Sequence, residues 1–251
     1  MIEPMIKLTR TFTPIKLTPD FVRDGTVQFQ TNGTNVWNVD WLKEALLDMS
    51  RYKCAYCECK LQVGPIYVEV EHFEDKANNS IKVLEWDNLL PSCKRCNGAK
   101  GTHDVITTPI VNPFIDSPQN EFFIRRYRIK GKTQKGKDTE GVINLNDQTK
   151  AVVERFEIGE KLEDLIDTCK EKQDLFIENN LTQRRNKFLN SFKRMLLECQ
   201  PDSDYSATCA TILHSNEVYQ EIKDSMEVLG LWNEEFELMH NSSLEIILER
   251  R

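Results

Sequence analysis

The chain has 251 residues, 39% hydrophobic and 29% charged, with a formal net charge of −7. This composition fits a globular protein and excludes a disordered or collagen-like chain. No apolar run reaches the roughly 20 residues a bilayer span needs, and the acidic balance excludes a protein that coats nucleic acid by charge alone.

The opening residues Met1-Ile2-Glu3-Pro4-Met5-Ile6 carry no basic segment followed by an apolar one. A cytoplasmic protein with reduced thiols is therefore expected, with Met5 as an alternative start to Met1. Pro14, Pro19, Gly25 and Gly33 interrupt residues 1–35, which predicts an extended arm that wraps its own domain or docks on a partner. From Asn38 a helix is expected, with Trp41, Leu42, Ala45, Leu46 and Met49 on one face, running toward Cys54 and supporting it. Residues 66–72 alternate, with Ile66, Val68 and Val70 on one side of a strand. His72 shares their parity, so alternation alone would bury it, and the strand is expected to end or bulge there. A polar loop follows from Asp75 to Ser80, then a second segment over 82–90, then a short helix from Lys94 to near Gly101. The order is strand, loop, strand, helix.

Pro109, Pro113 and Pro118 make 105–120 a rigid crossover. Phe122, Ile124 and Ile129 predict a hairpin, its turn placed in the Lys/Gly stretch 130–137. Residues 121–138 hold Arg125, Arg126, Arg128, Lys130, Lys132, Lys135 and Lys137, either a basic working face or a solvated loop. Beyond it, Leu162, Leu165, Ile166 and Cys169, then Phe188, Leu189, Phe192, Met195 and Leu196, then Val218, Ile222, Met226 and Leu229 recur at helical spacing. Gly230 ends the last of these helices. Leu244, Ile246, Ile247 and Leu248 form an apolar patch in the tail, a terminal helix or a subunit contact. The whole reads as an α+β chain, predominantly helical: an N-terminal arm (1–35), a central module (36–120), and a basic hairpin and helical region (121–251) that binds a partner.

The chemistry lies in the central module. Cys54 and Cys57 form one Cys-x-x-Cys pair, Cys93 and Cys96 another. Four thiolates so spaced suit a closed, structural zinc site. A redox dithiol is the weaker alternative, because that chemistry needs one pair. Cys59 offers a substitute ligand, while Cys169, Cys199 and Cys209 pack as small hydrophobes. Between the pairs, His72 can accept a proton from a water attacking phosphorus. Glu71 and the amide oxygen of Asn97 suit a hard cation, Mg2+ or Mn2+, and Asn88 can orient His72. Lys94, Arg95, Lys100, Arg125 and Arg126 are candidate phosphate contacts. His103, His214 and His240 are read as surface or structural histidines.

Cys54-Ala-Tyr-Cys57, Val70-Glu71-His72-Phe73, Asp87-Asn88-Leu89-Leu90-Pro91-Ser92-Cys93 and Lys94-Arg95-Cys96-Asn97-Gly98-Ala99-Lys100-Gly101 resemble, over residues 50–101, an HNH endonuclease with the ββα-metal fold. The resemblance implies His72 as general base, Glu71 and Asn97 as ligands of the catalytic ion, and Asn88 at the middle motif position. More loosely, Val111-Asn112-Pro113-Phe114, Asn120-Glu121-Phe122 and Ile143-Asn144-Leu145-Asn146 resemble the retron-associated and Septu-type HNH subgroup. That resemblance implies anti-phage defence beside an ABC-type, SMC-like ATPase, with a retron reverse transcriptase and its RNA–DNA as a further partner in some systems. Where the subgroup often has proline, this chain has Asp75, after Glu74; two acids there would repel a phosphate unless they bind metal. The expected function is metal-dependent phosphodiester hydrolysis, on DNA in preference to RNA such as transfer RNA. The alternative is a non-catalytic, zinc-finger-like binding subunit.

Overall fold

Thr18 starts the first helix, and two of the residues that looked like breakers, Pro19 and Gly33, mark its ends. The computed structural model describes residues 7–251 except Pro65, so the alternative starts at Met1 and Met5 lie outside the described residues. Within the segment expected to be extended, Pro19–Asn32 is a 14-residue helix, α1. The Thr18 hydroxyl accepts from the Phe21 N–H, and Pro19 takes a first-turn position where a missing N–H costs nothing. Gly33 closes the helix at φ 71°. Gly25, inside the helix, is there for closeness: a Cβ would lie 2.5 Å from Leu84 Cδ1. The residues before α1 do wrap the chain's own body. Leu8 N–H donates to the Pro113 carbonyl, Arg10 pairs with Asp87 and bonds the Leu89 carbonyl, and the Trp86 indole donates to Phe12.

Helix α2 (Asp40–Met49) points Leu42, Ala45 and Leu46 at a core built with Val36, Trp37, Val70, Val83, Leu84 and Trp86. Its Leu47 instead joins the core around Cys54. Strand β1 (Val68–His72) pairs antiparallel with β2 (Leu89–Cys93), Val68 opposite Cys93 and His72 opposite Leu89. The second strand thus begins only at the end of the expected 82–90 segment; before Leu89 the chain runs through turns that include two short 3-10 helices, Ser80–Lys82 and Trp86–Asn88. Pro91 is tolerated in β2 because the sheet has two strands and both are edges; its carbonyl accepts from Ala55. Helix α3 (Lys94–Lys100) follows at once and packs on both strands.

After the irregular, proline-marked crossover, a one-turn helix α4 (Pro118–Glu121) leads into β3 (Phe122–Arg125) and β4 (Arg128–Gly131). The hairpin turn is Arg126-Tyr127, not the Lys/Gly stretch. Both residues have positive φ, 48° and 63°, the geometry that matches strand twist. Tyr127 is held there by its hydroxyl on Glu160 and its ring against Gly159 and Phe156. The Lys/Gly stretch instead ends β4 and starts α5 (Gln134–Val142). Its glycines permit backbone contact: a Cβ on Gly131 would meet Lys137 N at 2.2 Å, and one on Gly136 the Glu121 carbonyl at 2.2 Å.

The helical body comprises α6 (Ala151–Glu178), α7 (Thr182–Glu198), α8 (Ser206–His214), α9 (Glu217–Val228) and α10 (Glu234–Leu244). The expected stripes on α6 and α7 form its core, and Cys169, Cys199 and Cys209 pack within it. On α9 the buried face is Tyr219, Ile222 and Met226, while Leu229 is 44% exposed. The apolar patch of the tail divides: Leu244 ends α10 and is exposed, while Ile246 and Leu248 are buried, and β5 (Glu249–Arg250) adds parallel to β3. No helix among the described residues is long and apolar enough to cross a membrane.

Replacing Gly131 with Ala should force β4 and α5 apart and destabilise the protein by about 1–3 kcal/mol, readable by urea unfolding. His214 gives a second check. Its Nε2 lies 2.8 Å from the Ser243 hydroxyl, and its ring meets those of Tyr219 and His240. Burial, with His240 nearby, lowers its pKa from the ordinary 6.5 to about 4. The unfolded chain therefore binds the extra proton in that window. This contribution, about 3 kcal/mol, should be complete above pH 6.5, decline as pH falls, and be lost by about pH 4. Thermal melts of wild type and His214→Gln across pH 4–7 should converge at the acid end.

Candidate active site beside a four-cysteine centre

Cys54 and Cys57 come from the loop after α2, Cys93 from the end of β2 and Cys96 from the first turn of α3. Glu58, at φ 67°, lets the chain double back, so that Cys54 N–H bonds the Cys59 carbonyl. The four sulfurs are buried and lie within 4.8 Å of one another; Cys57 and Cys93 are 3.8 Å apart. A zinc tetrahedron with 2.3 Å bonds has an edge of about 3.8 Å, so the donor set fits zinc. Cys59 is buried alongside, outside the mutual set. Arg95 faces the sulfurs, 3.1 Å from Cys96 Sγ, and donates to the Asn144 carbonyl. Burial alone would lower its pKa; the Cys96 and Cys57 sulfurs reverse that and raise it.

His72 ends β1, as the sequence predicts, yet the ring is not released to solvent. It is 3% exposed, edge-on to Trp37 at 4.7 Å, with Nε2 3.0 Å from the Val83 carbonyl. A carbonyl only accepts, so Nε2 carries the proton and Nδ1 keeps its lone pair. Burial lowers the pKa to about 4, leaving a neutral ring at physiological pH. The Asn88 side chain makes its hydrogen bonds elsewhere than to His72. It accepts from Glu74 N–H and donates to the Glu74 and Lys82 carbonyls, fixing the loop that carries Val83. The two acids are accounted for: Glu74 pairs with Lys82 at 2.6 Å, and Asp75 caps the turn through Ala77, Asn78 and Asn79.

Glu71 and Asn97 meet the same side of the hairpin, under α3, but with different partners. Glu71 pairs with Lys100 at 2.7 Å, and Asn97 donates to Glu69 at 2.7 Å. Burial raises the Glu71 pKa to about 7 against the opposing pull of Lys100. Glu69 escaped the sequence reading, although its two-residue spacing from Glu71 puts both on one face. The oxygens of Glu69, Glu71 and Asn97 suit Mg2+ or Mn2+ in kind, since such ions take one or two protein carboxylates and keep several waters. Among the described residues, the four cysteines form the cluster of three or more His, Cys, Asp or Glu groups.

The candidate phosphate contacts separate. Lys94, Arg125 and Arg126 are exposed. Lys100 is buried and paired with Glu71, so it is not presented to a phosphate; Arg95 is half-buried, with one guanidinium nitrogen on the Cys96 sulfur and another on the Asn144 carbonyl. Lys130, Lys132 and Lys135 pair with Glu140, Glu249 and Asp116, which removes much of the apparent basic face. His103, just past α3, has its ring on the Thr108 carbonyl and its N–H on the Lys100 carbonyl, while His240 bonds the Tyr219 hydroxyl in the helical body. A cavity of about 270 Å³ adjoins the cysteine centre, walled by Cys57, Cys59, Glu69, Cys93, Lys94 and Arg95 among others, not by His72.

No family model matches the sequence. A Septu protein PtuB from Bacillus thuringiensis is 41% identical over 248 residues, 98% of this chain and 96% of that protein. A Septu protein PtuB from Bacillus mycoides (strain KBAB4) is 36% identical over 69 residues, 22% of this chain and 23% of that protein.

Elemental analysis should find one zinc per chain. Its removal by chelation, or Cys96→Ser, should lower the melting temperature and loosen the module, seen as amide exchange rising first in β1, β2 and α3.

Proposed function

The chain belongs to the Septu PtuB family, and from that premise we propose that it is a metal-dependent HNH-type endonuclease, the effector of an anti-phage defence complex governed by an ATPase partner. His72 carries this reading. A neutral imidazole with Nε2 fixed on the Val83 carbonyl has Nδ1 left to accept a proton. It ends a strand in a strand–loop–strand–helix unit held by four buried sulfurs.

In this mechanism His72 Nδ1 takes the proton of the water that attacks phosphorus. Val83 fixes the ring, and Asn88 fixes Val83 by holding both ends of the loop at Glu74 and Lys82. Glu71 and Asn97 would hold Mg2+ or Mn2+, with Glu69 beside Asn97. When bound, that ion supplies positive charge to the phosphoryl oxygens as charge builds on them. Lys94, Arg125 and Arg126 attract the phosphate backbone from the surface. With a net charge of −7, the chain gains much of its substrate affinity inside the complex. The ATPase contact is assigned to the 121–251 region, and the protein to the cytoplasm. A retron reverse transcriptase with its RNA–DNA is a further partner where the system carries one. DNA is the favoured substrate, transfer RNA the other.

A second reading, a zinc-built binding subunit without catalysis, draws on the burial of His72 and on Lys100 holding Glu71. Cleavage by the chain purified with its ATPase decides between them. Plasmid, single-stranded DNA and transfer RNA are offered with Mg2+ or Mn2+. His72→Ala should lower the cleavage rate by roughly 10²- to 10⁴-fold without changing assembly. Cutting that is indifferent to both EDTA and His72→Ala would overturn the nuclease reading.

A further inference from the structure

Lys100 is the buried cation that the mechanism above leaves unused. It ends α3 just before Gly101, at φ 53°, and its side chain is 0% exposed. Burying an ammonium is costly unless charge and hydrogen bonds compensate it. Two oxygens do so: Glu71 Oε1 at 2.7 Å and the His72 carbonyl at 2.8 Å. The Tyr56 hydroxyl completes the surroundings, 3.5 Å from the same Glu71 oxygen. Lys100 thus bridges the side chain of one candidate catalytic residue and the backbone of the next.

Those partners are hard oxygens of the kind a divalent ion takes. Asn97 lies one turn back on α3, three residues from Lys100, a separation of about 5–6 Å between Cβ atoms. We propose that Lys100 is a positioning residue that acts as the built-in counter-cation of this centre: it holds Glu71 in the resting protein and keeps the centre's divalent-ion affinity low. The inference rests on the nuclease reading and adds to it. An ammonium and a dication on one carboxylate repel each other, so metal entry requires the ammonium to leave Glu71 or to stay at a cost in affinity. The subunit then rests with a weakly occupied catalytic centre, and whatever moves the end of α3 controls metal entry. The same contact fixes the peptide of His72, so metal entry and the placement of the base are coupled through one side chain.

Mn2+ binding to the full-length, zinc-loaded chain, read by electron paramagnetic resonance of the free ion, tests this. Lys100→Gln keeps a hydrogen-bond donor and removes the charge; it should tighten Mn2+ binding about tenfold or more. Lys100→Arg keeps the charge and should stay near wild type, and Glu71→Gln should abolish the binding in every background. A purely structural lysine predicts the opposite for Lys100→Gln, unchanged or weaker binding, and that result would overturn the proposal. Absence of any Glu71-dependent Mn2+ binding would instead sink the metal reading of Glu71, and the inference with it. A second measurement needs no variant. In ¹⁵N-lysine-labelled wild type, the protected ammonium resonance of Lys100 should shift or vanish as Mg2+ is added. A resonance unmoved at saturating Mg2+ would overturn the proposal too.

Discussion

Four buried sulfurs within 4.8 Å of one another are the constraint on which the molecule turns. A two-stranded ribbon and a two-turn helix are too small to be stable alone. Here they are closed at both ends of the motif by cysteines from the α2–β1 loop and from the β2–α3 junction. The same loop ties the module to the helical body. Lys53, fully buried, donates to Ser206, while Glu58 accepts from Ser206 and from Ala207 N–H at the start of α8. Lys60 N–H bonds Asp204. Arg95 links the sulfurs to Asn144. Loss of the centre would therefore be felt on both sides of this seam.

A few charged groups are buried, and each has partners inside the molecule. Lys53 with Glu58 and Lys100 with Glu71 are buried pairs. Arg155 is buried between α6 and the loop carrying Leu145, donating to the Leu145 and Tyr127 carbonyls. Such groups add little net stability, because desolvation offsets their attraction, but each fixes one arrangement of its neighbours. Three lysines of the 121–138 run are tied up by partly exposed pairs: Lys130 joins β4 to α5, Lys132 reaches β5, and Lys135 joins α5 to the crossover. The surface left to phosphate is narrower than the run's composition implies.

The candidate site divides between the two faces of β1. His72 turns toward Trp37 and Val83, and Glu71 toward Tyr56 and α3. Lys100 is the direct bridge between them, through the Glu71 side chain and the His72 backbone. His72 is thus positioned by backbone and aromatic contacts, Glu71 by a buried cation, and the two sets of contacts meet in one residue.

The sequence by itself determined the elements whose signal is local. Two Cys-x-x-Cys pairs favoured one shared centre, the alternating run 66–72 pointed to a strand ending or bulging at His72, and the stripes of α6 and α7 pointed to a core. Tertiary structure decided what depends on distant neighbours. Helix α1 was hidden because Gly25 looks like a breaker until Leu84 is packed on it. The Arg126-Tyr127 turn is held by Glu160 and Gly159, far along the chain. Helix α8 is buried from Ser206 to Leu213, so it shows no amphipathic stripe. Glu69 and Lys100 gain their places only when α3 lies across β1. Periodicity and spacing record which groups face the same way, but a partner more than a few residues away leaves no trace in either.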